Sequence, residues 1–285
     1  MSVPYLAGLL TKPRVIHHYF LSLAYDGTAY RGWQRQPGGV ITVQQTLEDT
    51  LSEVHRREVI LGGCGRTDAG VHASQYYAYL RNPTPLPDNY LFVLQKRLPS
   101  DISVRAALPV PDNAQARYDA TERTYDYFFH TAPDPWLDRT SSWLPLTKFQ
   151  PQRLAAALPG LIGEADFRAF CKAPDRHNTT LVDLRQARLY HNAAGNRFRL
   201  RFVANRFLRG MIRLLVDTLL RVGNGTLTVE DPAARLLSQE RPPRFALAPP
   251  QGLFLSGVRY PYLDNDPQLP PTAAETAWLP VTPAP

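Results

Sequence analysis

The chain has 285 residues, 44% of them apolar and 20% charged, which excludes a wholly disordered protein and leaves room for one large or two ordinary domains around a real core. No run approaches the ~18–20 apolar residues of a membrane span, and Met1–Leu10 lacks the basic start of a secretory signal. Two cysteines, Cys64 and Cys171, make neither a disulfide framework nor a zinc site, so an intracellular, soluble, metal-free protein is expected, and a net charge of +7 adds a polyanionic partner.

Residues 1–14 read as a loose leader. Val15 to Tyr25 alternates as a strand, and Asp26-Gly27 with Pro37-Gly38-Gly39 punctuates a loop. A helix follows, capped by Thr42 with Gln45 three residues on, with Val43, Leu47, Leu51 and Val54 on its apolar face. Val59–Leu61 and Gln75–Leu80 read as strands around a glycine-rich turn. Tyr90–Arg97 is a short helix, and strands resume at Ile102–Leu108 and Thr124–His130. Pro133 to Pro145 connects two halves.

In the second half, Pro151–Leu158 is helical, and Leu184–Tyr190 with Arg197–Val203 forms a hairpin about Asn192–Asn196. Its second strand sets Phe198, Leu200 and Phe202 against Arg197, Arg199 and Arg201. The spacing predicts a helix over Asn205–Val222, with Phe207, Met211, Leu214 and Leu215 on one side and Arg206, Arg209 and Arg213 on the other. A last strand runs from Leu253 to Tyr260. Residues 267–285 hold six prolines in 19 and should be unstructured. Strands mixed with one strong helix in each half predict an α+β fold. The division is a 15–132 half with the glycine-rich turn, a 146–263 half and a 264–285 Pro-rich tail.

Only four of the 32 cations are lysines, and arginine's planar fork suits phosphate, although arginine-rich codon usage explains the bias equally well. Seven arginines and one acid, Asp217, fall between Arg197 and Arg221, a clustering that marks a nucleic-acid contact surface.

The densest chemical candidate is Gly62-Gly63-Cys64-Gly65-Arg66-Thr67-Asp68-Ala69-Gly70-Val71-His72. Four glycines let backbone approach a ligand closely and present Asp68 rather than pack it. A carboxylate there is ionised at neutral pH unless desolvated, and a nearby arginine would keep it so. Taken alone, such an Asp is more often a turn cap, and His72 reads as structural. There is no phosphate-binding loop, dinucleotide fingerprint, zinc-protease or zinc-deaminase motif, or serine elbow. Aromatics interleave with basics at Tyr25–Gln36 and Ala116–Tyr127. Such faces stack on unpaired bases, though each segment alone is more often strand core.

Gly65-Arg66-Thr67-Asp68-Ala69-Gly70-Val71-His72-Ala73, with Gln75, resembles the signature of the TruA family of tRNA pseudouridine synthases. So do six further segments in the family's order: Tyr25 to Gln36; Leu98-Pro99 with Asp101-Ile102; Ala116 to Tyr127; Asp166-Phe167 with Phe170; Asn205 to Arg213; and Ala248 to Leu253. The likeness runs from about residue 16 to 262. It implies a pseudouridine-synthase fold, a largely antiparallel mixed sheet flanked by helices in two similar β-α-β-type halves.

The implied activity is cofactor-free isomerisation of uridine to pseudouridine in the tRNA anticodon stem-loop, at tRNA positions 38–40. The implied protein is a cytoplasmic homodimer with one tRNA spanning both subunits. The resemblance carries roles onto Asp68 as the catalytic carboxylate, Tyr125 stacking on the target base, and Arg213 paired with the aspartate. It gives Arg66 a part in flipping the nucleotide, places Leu253 in the pocket wall, and leaves Arg206 and Arg209 as RNA contacts. Lys96, Arg97 and Asp217 depart from the family pattern and bear on the choice of position. The alternatives are a catalytically silent tRNA-binding or chaperone protein, and a pseudouridine synthase acting on another RNA.

Overall fold

The computed structural model describes residues 16–146, 148–240, 246–263, 266–274 and 276–283. The expected leader, 1–14, lies outside them. Strands β1 (His17–Tyr25), β3 (His72–Asn82) and β4 (Ile102–Pro109) form an antiparallel half-sheet, with the two-residue β2 (Gly62–Gly63) on β3. Strands β5 (Glu122–His130), β8 (Leu181–His191), β9 (Arg197–Ala204) and β10 (Leu253–Arg259) form the other half. Short strands β6 (Ser142–Trp143) and β7 (Gly163–Asp166) extend it. The halves meet where β10 runs parallel to β3 through Phe254↔His72 and Leu255↔Ala73. The result is one open mixed sheet, ordered β11-β8-β9-β5-β10-β3-β1-β4, where β11 is Leu279–Pro280. The architecture is α+β, as the pattern predicts.

Each half buries its own helix. In α1 (Val43–His55), Thr42 caps the first turn by accepting the Gln45 N–H at 3.3 Å, and Val43, Leu47 and Leu51 enter the core with Leu21, Leu23 and Tyr76. In α4 (Met211–Gly223), Met211, Leu215 and Leu219 pack with Phe202, Leu200 and Tyr127. The short helices α2 (Tyr90–Gln95), α3 (Pro151–Ala157) and α5 (Asp231–Ser238) fill the flanks.

The structure corrects the sequence reading at four places. Residues 59–61 are not a strand; Val59 and Leu61 are core residues beside α1, and the pairing begins at Gly62. The helix expected from Asn205 begins at Met211, because Gly210, at φ +73°, turns the chain just before it. Arg206 and Arg209 therefore lie on a loop, not on one helix face with Arg213.

The Pro-rich tail also carries structure. A short helix α6 (Pro271–Ala274) leads to β11, which pairs with the end of β8. Ala273 and Trp278 pack on Phe128 and Phe254, whose side chains leave the opposite face of the sheet from Tyr127. Proline fits the first turn of a helix and a sheet edge, so composition alone misjudges this segment.

The arginine run does not form one surface. On β9, Arg199 and Arg201 turn toward that same second face and meet Asp126, which is wholly buried, at 2.7 and 3.0 Å. Ser256 completes the cluster by donating to the same carboxylate. Strand alternation shows which residues share a face; it does not show whether solvent or a buried acid meets them. Losing Asp126 would strand two largely buried guanidinium groups. We expect Asp126→Ala to lower unfolding free energy by about 3–5 kcal/mol, measured by denaturant titration; a wild-type midpoint would contradict this account of the cluster.

Candidate active site

Asp68 opens a four-residue turn in which the Val71 N–H donates to the Asp68 carbonyl at 3.1 Å and Gly70 takes the left-handed conformation, φ +74°. Such a turn needs φ > 0 at its third position, which glycine adopts freely. The turn is pressed against the 25–33 segment. Trp33 N–H donates to Thr67 O at 3.2 Å, Gly70 N–H to Tyr30 O at 3.2 Å, and the Tyr25 and Thr67 hydroxyls meet at 2.9 Å. A Cβ on Gly32, itself at φ +92°, would sit 2.5 Å from Thr67 O, and one on Gly27 2.0 Å from Val71 O. The glycines of this segment are thus clearance for the Asp68 turn.

Tyr25, Tyr30 and Trp33 are buried, so here the core reading of the aromatics holds over the base platform. Asp101, from the Leu98–Ile102 segment, accepts the Tyr30 hydroxyl at 2.6 Å. His72 is buried; its Nδ1 lies 3.0 Å from the Gly27 N–H, its Nε2 3.1 Å from Gln251 O, and its ring stacks on Phe254. That is the structural role expected for it.

The second half supplies the cation. Arg213, in the first turn of α4, places Nη1 3.5 Å from Asp68 Oδ2. Its Nε donates to Ala248 O at 2.6 Å and its own backbone carbonyl accepts the Ala248 N–H, so Ala248 holds the residue at both its backbone and its side chain. The Arg213 side chain is 14% exposed and Asp68 33%, so the pair is mostly but not wholly withdrawn from water. The same Ala248–Leu253 segment touches Tyr127 through Pro249 O, and Pro250 stands against Gly70. Leu253 itself is buried opposite Tyr127 in the β5–β10 register.

Tyr125 lies on β5 with its ring edge-to-face on Phe207, centroids 5.1 Å apart. Burial pushes its phenol well up, and the Cys64 and Asp68 charges push the same way against Arg123. The ring therefore stays neutral and keeps its O–H as a donor at any working pH. Burial likewise raises the Cys64 thiol to about 11, which leaves it an inert neighbour.

The structure thus brings Asp68 and Arg213 into contact, with Tyr125 near enough for the Asp68 charge to act on its phenol, while Leu253 is buried in the core of the second half. Arg66 and Arg209 are exposed on the flanking loops and Arg206 is half-buried. Burial, then the charges of Arg206, Arg117 and Arg209, holds the His177 imidazole below its usual range, so these three arginines lie near one another around it. Asp217 projects elsewhere on α4, where burial raises its carboxyl against the pull of Arg221 and Arg235. Sequence reasoning missed Phe207, which helical spacing assigned to a core stripe, and Ala248, which acts only through its backbone. Among the described residues no group of His, Cys, Asp and Glu is arranged to hold a metal ion, and no helix is long and apolar enough to cross a membrane.

Comparison with known proteins identifies the family. A family model described as tRNA pseudouridine synthase matches residues 22–119 and 157–261. Relatives named tRNA pseudouridine synthase A include that of Chlorobaculum tepidum, 38% identical over 242 residues that span 84% of this chain and 96% of the relative. That of Porphyromonas gingivalis is 37% identical over 248 residues, 85% of this chain and 97% of the relative. That of Neisseria gonorrhoeae is 36% identical over 259 residues, 88% and 95%. A match that starts within β1 and ends just past β10, joined by relatives aligned along nearly their whole length, makes this chain a member of the tRNA pseudouridine synthase family, whose members are isomerases.

Proposed function

We propose that this chain isomerises uridine to pseudouridine in the anticodon stem-loop of cytoplasmic tRNA, with Asp68 as the reacting carboxylate. The observation that carries the reading is the Asp68–Arg213 contact, made between the two halves of the sheet, with Tyr125 near enough to feel the Asp68 charge. In the reaction the N1–C1′ bond of the nucleotide breaks, the uracil turns, C5 bonds to C1′, C5 loses its proton and N1 gains one. No atom is added or removed.

Asp68 acts on the ribosyl–uracil unit. Its turn is braced by backbone contacts, so little reorganisation is needed when a base arrives. Arg213 pairs with the carboxylate, and the Ala248 carbonyl fixes which way the guanidinium faces. Tyr125, neutral and steadied by Phe207, offers its ring face to the uracil and its O–H to a developing charge. A base inside a duplex cannot reach this cleft, so the nucleotide must be flipped out. Arg66, exposed two residues before Asp68, is placed to hold the vacated strand. The reading includes a homodimer; sedimentation of the protein with tRNA tests it, and a lone protomer carrying one tRNA would count against it.

Tritium release from tRNA labelled at uridine C5 should fall about 10²–10⁴-fold in Asp68→Asn, while tRNA binding is kept. Release at the wild-type rate by the variant would overturn the role of Asp68. Release by the wild type from another RNA but not from tRNA would overturn the substrate. Binding should also be salt-dependent: log Kd against log salt should be linear, and Arg209→Ala should flatten its slope by about one phosphate's worth. A slope near zero in the wild type would remove the electrostatic part of this reading.

A further inference from the structure

Arg123 has no role in anything derived above, yet it makes more backbone contacts than any residue placed in the cleft. It lies on β5 two positions before Tyr125, so the two side chains leave the same face of the strand. Its Nη1 donates to Ala120 O at 3.2 Å and Asn205 O at 3.0 Å. Its Nη2 donates to Cys64 O at 3.2 Å and Arg117 O at 2.6 Å. Each terminal nitrogen carries two hydrogens, so four of the five guanidinium N–H groups are spent on carbonyls. None of the ion pairs among the described residues involves it. A charge this well surrounded and left without an acid is arranged for its fork, not for charge pairing.

The four carbonyls belong to three separate segments. Cys64 lies four residues before Asp68, in the segment that leads into its turn. Arg117 and Ala120 bracket the turn that carries Tyr118, whose ring is 75% exposed beneath the Arg117 guanidinium. Asn205 opens the loop that carries Arg206, Phe207 and Arg209, and it is fixed on its other side by two hydrogen bonds to the Asp183 backbone. Cys64 O and Arg117 O share one nitrogen, so the first two segments are held edge to edge. Phe207, on the third, is the ring that steadies Tyr125.

We propose that Arg123 is a positioning residue for the reaction: its guanidinium latches the Asp68 turn, the Arg117–Ala120 turn and the Asn205–Gly210 loop to one point and so sets Asp68 against Tyr125. This rests on the reading of Asp68 as the reacting carboxylate. A lysine cannot replace it, because three hydrogens on one tetrahedral nitrogen do not span four carbonyls.

The test compares Arg123→Ala, Arg123→Lys and Asp68→Asn in the full chain, each well below its melting temperature. Measured are the single-turnover rate on tRNA, the tRNA Kd, and amide exchange in residues 64–70, 116–121 and 205–210. Displacing a reacting group by about 1 Å costs on the order of 100-fold. We therefore expect the rate of Arg123→Ala to fall about 10–100-fold, with Kd changed less, and exchange to rise together in all three segments. Millimolar guanidinium ion should restore part of the alanine variant's rate, and Arg123→Lys should remain impaired.

Wild-type turnover by folded Arg123→Ala, full rescue by lysine, or faster exchange in one segment alone would overturn the latch. Should Arg123→Ala fail to fold, Arg123→Lys and Arg123→Gln carry the same comparison. If instead Asp68→Asn turns over normally, the catalytic reading fails, while the exchange result still decides whether the three segments share a latch.

Discussion

Two residue pairs hold the site together. β10 runs parallel to β3 only through Phe254↔His72 and Leu255↔Ala73. Parallel pairing over so short a length contributes little hydrogen bonding, yet it sets Leu253 and the end of the Ala248–Leu253 segment beside the residues that follow Asp68. From there Ala248 reaches back to Arg213. β10 also passes from one core to the other: Leu253 packs with the α4 cluster, Leu255 and Val258 with the α1 cluster. The joint is therefore secured by apolar burial on both sides and by the His72–Gln251 contact, and the Asp68–Arg213 distance inherits that rigidity.

The same economy explains the glycine-rich motifs. The Tyr25–Gln36 segment does not face the cleft. It forms a floor beneath the Asp68 turn, and its glycines stand where a Cβ would strike the Thr67 or Val71 carbonyl. A catalytic carboxylate on a free loop would need to be ordered at every turnover. One on a turn braced by three backbone and hydroxyl contacts is ordered by folding.

Much of this was legible in the sequence where periodicity or a motif marks a whole element. The hairpin about Asn192–Asn196, the capped helix after Thr42, and the Asp68 turn all follow from local rules. What local rules missed depends on distant partners. The Asn205–Val222 stretch has helical spacing throughout, but Gly210 breaks it, and the loop so freed is what brings Phe207 to Tyr125. The tail's prolines concealed that Trp278 and Ala273 have an apolar surface to cover on Phe128 and Phe254. Short strands such as β6 and β7 carry no periodicity to read; they exist because β5 and β8 offer them an edge.

The arginine excess is the instructive case. Read as charge, 28 arginines suggest one large phosphate-binding face. Several of them are spent inside. Arg199 and Arg201 balance a buried Asp126, Arg213 serves Asp68, and Arg123 is consumed by four carbonyls. In each place a guanidinium donates to an acid or to carbonyls on a neighbouring strand or loop. Exposed or half-buried arginines remain on the segments that Arg123 joins, at Arg66, Arg117, Arg206 and Arg209. Electrostatic attraction and catalytic geometry are thus coupled through one residue type, with the inner guanidinium groups fixing the loops on which the outer ones are carried.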